Sequence, residues 1–376
     1  MTPEEQPDFR AVDHQPLVAI SILNWNGWRD TLECLESVRR LDYPNYLAIV
    51  VDNGSWDDST ERIKGWAHDN LGAGYVLADY TQEVALQGGG RQTEEALESV
   101  PSPARLVLIR DEENLGFTGG NNVAIHYALT RRSQADYVFL LNNDVTLGEE
   151  CLTLLVTTDR RTGAGIVGPV VLSEDGRRIQ FAKGGSPLRL FFAPIVKAYV
   201  PMPEGEGPLW ESPFVDGAAM LASKDVLEAN HSPVRCYLDE RLFFAWEEVA
   251  FCNAAWKKGF KCIVAGGASV RHKVGQSCGG YVGPIHYYYS GRNRILVVSE
   301  FLSPAWRVLF HLVHTPMRLL SAAKNVSAGR LRSARAILWG LLDGYRGVTG
   351  KWRDHDCETN RGRRGGFLKT GSEEAD

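Results

Sequence analysis

No stretch of the 376-residue chain approaches the ~18 to 20 consecutive apolar residues that a membrane-spanning helix needs. Its opening, MTPEEQPDFRAVDHQP, is acidic and polar where a signal peptide is basic and then apolar, so the chain is expected to stay in the cytoplasm. There is no Cys-x-x-Cys pair, and the seven cysteines (Cys34, Cys151, Cys236, Cys252, Cys262, Cys278, Cys357) form an odd set. Both facts argue against a disulfide framework and a structural zinc site, and free thiols are expected. Positive charge is not in excess either. The 41 Lys and Arg face 46 Asp and Glu for a net −5, which excludes the broad basic field of a general nucleic-acid binder and confines any basic patch to one region. What is present is ordinary globular composition, 44% hydrophobic and 23% charged, enough for one large domain or two moderate ones.

Residues 1–16 read as a polar arm. Residues 17–23 (LVAISIL) form the nearly continuous apolar run of a buried parallel strand, stopped at Asn24. The period then changes: Leu32, Leu35 and Val38 share one face of a helix over 27–41, ended by Tyr43 and Pro44. A second strand, 47–51 (LAIVV), stops at the turn Asp52, Asn53, Gly54, Ser55 and leads into a helix over 59–66. Residues 68–104, broken by five glycines and by Pro101 and Pro103, read as a partly irregular insertion with one short helix at 93–99. Strands at 106–109 and 137–141 follow, with a glycine-rich loop at 114–122, a helix at 123–131 and another at 149–160. This alternation predicts an α/β doubly wound sheet with helices on both faces and ligands beyond the carboxyl ends of its strands. Asn24, Asp52 and residues 142–144 each follow a strand directly and Asn114 follows one closely, so they are expected at one sheet edge. Beyond them, prolines between 187 and 213 mark a loop-rich connection suited to folding over a substrate, followed by strand, helix and strand at 214–222, 242–258 and 261–265.

The charge is unevenly placed. Residues 291–340 hold eight basic side chains against one acid, Glu300, interleaved with Leu296, Phe301, Trp306, Leu309, Leu312 and Leu319. Such basic amphipathic helices suit an anionic membrane face; a helical cap with solvated arginines is the alternative.

Several residues carry chemistry. Asn142, Asn143 and Asp144 offer one carboxylate beside two amides at a strand end, enough for a Mg or Mn ion completed by water and phosphates, although the same trio also makes a common turn. Asp52 either caps its turn or accepts a hydrogen bond from a nucleobase N–H. Gly116, Gly119 and Gly120 permit a close backbone approach before a helix N-terminus, as a diphosphate or a sugar hydroxyl requires. A dinucleotide fingerprint would place GxGxxG after the first strand, where this chain has NWNG, and that counts against a nicotinamide-dependent dehydrogenase. Glu247 and Glu248 follow the aromatic run 243–246 (FFAW), whose walls would raise a carboxyl pKa toward that of a general base. His272 is a third metal contact or a surface histidine, and its neighbours Arg271 and Lys273 offer positive charge to phosphates.

Taken in order, ILNWNG, VDNGS, NLGFTGGNN, LLNNDV, VDGAAML, FFAWEEVAFC and RHKVGQS make the chain resemble glycosyltransferase family 2, in its bacterial rhamnosyltransferase-like and galactofuranosyltransferase-like members, over residues 17–350. The resemblance implies a GT-A type doubly wound mixed sheet over 17–284, with the insertion at 68–104, a basic helical C-terminal extension over 285–350 and a polar, disordered tail over 351–376. It implies an inverting, metal-dependent transfer of a sugar, with rhamnose the first guess from the resemblance, from a nucleoside-diphosphate sugar to a glycan or lipid-linked acceptor in cell-surface polysaccharide assembly. Asn24, Asp52, Asn114, Gly116, Gly120, Asn121, Asn142 and Asn143 would bind the donor. Asp144 and His272, with Asn142 in the first DxD position, would hold Mn2+ or Mg2+. Glu248 would be the base beside Glu247, with Trp246 and Asp216 on the acceptor side. The family usually has Glu-Asp or Asp-Asp at the 247–248 pair and another acid where Ala250 stands. A catalytically silent sugar-nucleotide or glycan-binding protein of the same fold is therefore the alternative. The expected place is the cytoplasmic face of the plasma membrane, with no nucleic-acid partner and self-association left open.

Overall fold

The structure, a computed structural model, describes residues 15–183, 207–273 and 283–353. Most of the N-terminal arm, the proline-spaced stretch at 184–206, the VGQS half of RHKVGQS with Cys278, and the tail from 354 with Cys357 lie outside the described residues.

The first half runs β1 (Val18–Asn24), α1 (Trp28–Arg39), β2 (Tyr46–Asn53), α2 (Ser59–Asn70), β3 (Val76–Thr81), α3 (Gln82–Leu86), α4 (Arg91–Ser99), β4 (Arg105–Asp111), α5 (Gly116–Thr130) and β5 (Tyr137–Asn142). It continues through β6 (Val145–Leu147), α6 (Cys151–Thr162), β7 (Gly165–Ser173), β8 (Ile179–Phe181), β9 (Leu209–Glu211), β10 (Ala219–Ser223), α7 (Lys224–Asn230), α8 (Glu247–Trp256) and β11 (Lys261–His272). Three helices close the described chain: α9 (Pro284–Phe301), α10 (Pro304–Ser327) and α11 (Leu331–Arg346).

The sheet order is β3-β4-β2-β1-β5-β10-β7-β11-β6, with β8 on β7 and β9 on β11. From β3 to β5 every pairing is parallel; β10 enters antiparallel between β5 and β7, and β11 returns parallel to β7. The central strands are apolar along their length because helices cover both faces, and every residue of β2 is buried. α1 turns Cys34, Leu35 and Val38 onto the sheet, and α6 ends at Gly163, whose φ of +62° completes a left-handed cap. The mixed sheet, the helices on both faces and the C-terminal helices match the architecture anticipated from the sequence.

The structure corrects three local expectations. Residues 68–104 are mostly regular: β3 adds a parallel edge strand and α3 and α4 follow it, where an irregular insertion was expected. Residues 114–122 are not a loop, since α5 begins at Gly116. The helix expected over 242–258 starts only at Glu247, because Phe243, Ala245 and Trp246 sit at positive φ (62°, 64° and 77°).

Helix α10 buries two polar residues beside Phe310 and Ala322 and leaves leucines outside. Its inward face carries His314 and Asn325, 4% and 2% exposed, whereas Leu312 and Leu320 on the outer face are 67% and 70% exposed. α11 packs small residues inward: a side chain on Gly344 would meet Ile295 of α9 at 2.9 Å, so glycine permits the close helix contact. It leaves Leu338, Trp339, Leu342 and Tyr345 outside. No described helix is long and apolar enough to cross a membrane.

Candidate active site

Register alone gathers the polar strand ends. Asn24 is level with Asp52, Asp52 with Arg110, Asn53 with Asp111, and Leu23 with Asn142. A buried network forms there. Asn24 Nδ2 donates to Asp52 Oδ1 at 2.7 Å and Asn24 Oδ1 accepts from Thr31 at 2.8 Å. Ser55 Oγ donates to the same Asp52 oxygen at 2.6 Å and accepts the Asn26 amide at 2.9 Å. Both amide functions of Asn24 are thus spent on the protein, and it positions Asp52, the group of the two with acceptor capacity left.

Asp111, which sequence reasoning did not single out, completes the edge. Both of its carboxyl oxygens are buried without a partner among the described residues, and burial, followed by the nearby Asp52, pushes its pKa up to about 7. Its signal was available: it ends β4 as Asp52 ends β2, but the predicted strand stopped at 109.

Asn142, Asn143 and Asp144 occupy the connection from β5 to β6, and their roles separate. Asn143 donates to Thr31 Oγ1 at 3.1 Å and to the Gly27 carbonyl at 3.3 Å, which ties the connection to the start of α1. Asn142 is half-buried, and its backbone amide donates to the Ala218 carbonyl at 2.9 Å, clamping it to the approach to β10. Asp144 Oδ1 lies 3.2 Å from His272 Nε2 at the end of β11, both groups being buried. Ligand atoms about 2.1 Å from an octahedral ion sit about 3.0 Å apart on adjacent corners, so this pair fits a Mn or Mg ion that takes its other ligands from water and phosphates. No three His, Cys, Asp or Glu side chains converge in a metal cluster among the described residues. The adjacent Lys273 is not available to phosphates as expected, since it pairs with Asp30 at 2.8 Å and Glu33 at 2.6 Å. Arg271 stays exposed.

The acid cluster comes from α8 and the loop before β10. Glu247 is buried and Glu248 half-buried, and a side chain on Gly217 would lie 3.4 Å from Glu248 Cβ. Burial, then the neighbouring Asp216, raises the Glu248 carboxyl to about 7. Burial and then Glu248 hold the Glu247 carboxyl well above the usual carboxylate range, and its Oε2 has no partner among the described residues. Asp216 accepts the Ala218 amide at 2.9 Å, and Ala218 in turn accepts from Asn142, so the acid cluster and residues 142–144 are neighbours across one strand end. Trp246 is buried immediately before the pair, with the Arg294 guanidinium 4.7 Å above its ring.

The strained loop 242–246 is held from outside. Asn293 Nδ2 donates to the carbonyls of Leu242, Phe244 and Ala245 at 3.0, 2.8 and 2.7 Å, while Arg292 donates to Leu242 O at 2.9 Å. Neither residue was anticipated, because a supporting side chain fifty residues away leaves no mark in local spacing.

Four of the residues expected in the donor pocket have internal structural contacts. The α5 amides meant for a diphosphate are taken: Phe117 N donates to the Phe243 carbonyl at 2.8 Å and Thr118 N at 3.4 Å. Gly116, at φ +77°, leaves room for that same carbonyl, and a side chain there would collide with it. Gly120 lets α5 lie on Leu23 and Asn53 of the sheet. Asn121 is 1% exposed, accepts from Ser21 at 2.8 Å and donates to Phe117 O at 2.9 Å, making it a core residue. Asn114 spends its side-chain oxygen on the Gly116 amide at 2.8 Å to start the helix. Close packing inside the motif accounts for Gly116 and Gly120.

No family model matches the chain. The hexosyltransferase Agl10 of low-salt glycan biosynthesis in Haloferax volcanii is 24% identical over 243 residues, 63% of this chain and 75% of that protein. Among solved structures, GalNAc-T7 with UDP, GalNAc and Mn2+ aligns with a TM-score of 0.53 at 12% identity, over 88% of this chain and 57% of its own. The fold is the GT-A glycosyltransferase fold. The present chain thus spans little more than half of the GalNAc-T7 structure. The mannosyltransferase PcManGT from Pyrobaculum calidifontis, in complex with GDP-Man and Mn2+, aligns at 14% identity and a TM-score of 0.49 over 95% of this chain and 82% of its own.

Proposed function

We propose that the protein is an inverting, metal-dependent glycosyltransferase that moves a sugar from a nucleoside diphosphate to a hydroxyl of a glycan or lipid-linked acceptor. The observation that carries the reading is the juxtaposition at one strand end of a cation-binding pair, Asp144 and His272, with a carboxyl of raised pKa, Glu248. The named relative is a hexosyltransferase, and the aligned GalNAc-T7 structure holds UDP, GalNAc and Mn2+, which supports the same donor class and ion. Asp52 accepts from the nucleobase, with Asp111 at its side. Asp144 and His272 would hold the ion, with Asn142 in the first DxD position, and the ion would supply neutralisation of charge on the departing diphosphate. Glu248 takes the proton from the acceptor hydroxyl as its oxygen attacks the anomeric carbon from the far side, beside Trp246 and Asp216. One displacement inverts the centre and needs no covalent intermediate. Rhamnose is the sugar favoured by the motif order.

The chain works at the cytoplasmic face of a membrane in this reading, lying on anionic lipid through the outward faces of α10 and α11, whose leucines are exposed in a basic surround.

The test is release of nucleoside diphosphate from a panel of nucleotide sugars, with Mn2+ or with a chelator. Metal-stimulated release that Asp144→Ala removes is expected. Metal-stimulated release surviving in Asp144→Ala would overturn the metal assignment, and binding without turnover of any donor would favour the silent binding protein.

A further inference from the structure

Between α9 and α10 lies a group of buried basic side chains that the catalytic reading does not use. Gly291 and Arg294 lie on one face of α9, three residues apart, with Tyr287 one turn earlier. His314 and Arg318 face them from α10, at i and i+4. The Arg318 guanidinium rests on Gly291, where a side chain would meet Nη2 at 3.0 Å, and its Nη2 donates to the Tyr287 carbonyl. Arg294 crosses to the Trp246 ring. Three buried nitrogens in this group, Arg294 Nε, Arg318 Nε and His314 Nε2, have no hydrogen-bond partner among the described residues. Neither arginine forms an ion pair with a described carboxylate.

The electrostatics agree with that geometry. Burial, then Arg318, lowers Arg294 to about 10, and burial lowers Arg318 to about 10. His286 is brought down to about 4 and His314 to about 3, in each case by burial first and then by the two arginines. The two imidazoles are neutral near neutral pH, so the uncompensated positive charge is that of the two guanidiniums, which burial holds below their ordinary range with no described carboxylate paired to either. A buried unpaired charge is costly, and a partner anion removes the cost.

We infer that Arg294 and Arg318 form a binding site for a phosphoryl group at the Trp246 edge of the active site. Planar guanidiniums match the oxygens of a phosphate with paired N–H donors, and Arg294 of this pair lies over Trp246, the residue immediately before Glu247 and Glu248. Two sources carry that chemistry, the donor's diphosphate and a phosphate on the acceptor. The choice between them rests on the transferase reading; the anion site does not.

The experiment uses the full chain and inorganic pyrophosphate in a chelating buffer, against sodium chloride at equal ionic strength. Pyrophosphate is expected to raise the wild-type melting temperature by several degrees where chloride does not. Arg294→Met and Arg318→Met are expected to melt no lower than wild type without pyrophosphate, because each removes an unpaired buried charge, and to lose the pyrophosphate response. Arg294→Lys serves if either methionine variant does not fold, and should keep a weaker response. A wild type indifferent to pyrophosphate, or variants that keep the full shift, would overturn the site. Nucleoside diphosphate with Mn2+ then separates the sources: binding roughly tenfold weaker in Arg294→Met places the donor there, and unchanged binding places a phosphorylated acceptor. Asp144→Ala should weaken the Mn2+-dependent binding while sparing the pyrophosphate shift, so failure of the catalytic reading leaves a distinct signature.

Discussion

Glu248 shows how one residue's surroundings set its chemistry. A solvated glutamate is a poor base near neutrality, and burial with Asp216 alongside lifts this one to about 7, where it is a better proton acceptor. It works only when ionised, so turnover should fall as pH drops below about 7. Glu248→Gln should lower turnover by about 10²- to 10⁴-fold while nucleotide binding persists. Retained turnover in that variant would move the role to Glu247. Stability gives an independent sign. The unfolded glutamate ionises in the ordinary carboxyl range, whereas the folded one stays neutral until about 7, so its contribution to stability is present at low pH and lost as pH rises through that window. Glu248→Gln should flatten that part of a melting-temperature profile against pH, and an unchanged slope would show that the carboxyl is not held neutral. Asn24 and Asp52 make a similar division: one is consumed in orienting the other, and only Asp52 remains to meet a ligand.

At the scale of elements, α9 holds the catalytic loop in its strained form. Three positive φ values at non-glycine residues cost of order 1 kcal/mol each and persist only where neighbours over-determine them. Here the neighbour is the Asn293 amide, spread across three carbonyls. Asn293→Ala should lower stability by about 2–4 kcal/mol through the lost buried hydrogen bonds and reduce turnover more than donor binding, because Glu247 and Glu248 begin the helix that this loop launches. Urea unfolding and steady-state kinetics would check it; a variant as stable as wild type would show that the loop carries its own geometry. The same region marks how far the sequence was legible. The central strands were readable because burial on both faces leaves continuous apolar runs, as in VAISILN and RLVLI, and their polar ends fell where those runs stopped. The edge strand β3 (VLADYT) lacks such a run, since only two of its residues are buried. NLGFTGGNN looked like a ligand loop because glycine marks close approach without saying to what, and the approach proved to be to Phe243 and the sheet. FFAW read as helix by periodicity, and the strain that breaks it is imposed from fifty residues away.

On the scale of the whole molecule, the outward leucines and the charge distribution belong to one argument. Of the large hydrophobic side chains that stand exposed, most lie between Trp306 and Val348, and nine basic residues against the single acid Asp343 occupy positions 303–353 of a chain whose net charge is −5. A helix that hides His314 and shows Leu312 and Leu320 is arranged for an apolar neighbour outside itself, and its basic surround matches an anionic lipid surface better than a second copy carrying the same positive patch. Trp306, Trp339 and Tyr345 are residues suited to the headgroup level. The protein should co-sediment with phosphatidylglycerol vesicles and not with phosphatidylcholine, and binding should weaken with salt because part of it is screened charge. The double variant Leu312→Glu, Leu320→Glu alters only exposed positions, so its melting temperature should match wild type. Its partition onto anionic vesicles should fall by at least roughly tenfold, since it removes buried apolar area and adds repelled charge. Transfer to a water-soluble acceptor should be untouched. If wild type instead elutes as a dimer that the double variant turns into a monomer, and vesicles of neither composition retain it, the outward face belongs to a second copy of the chain and the membrane placement fails.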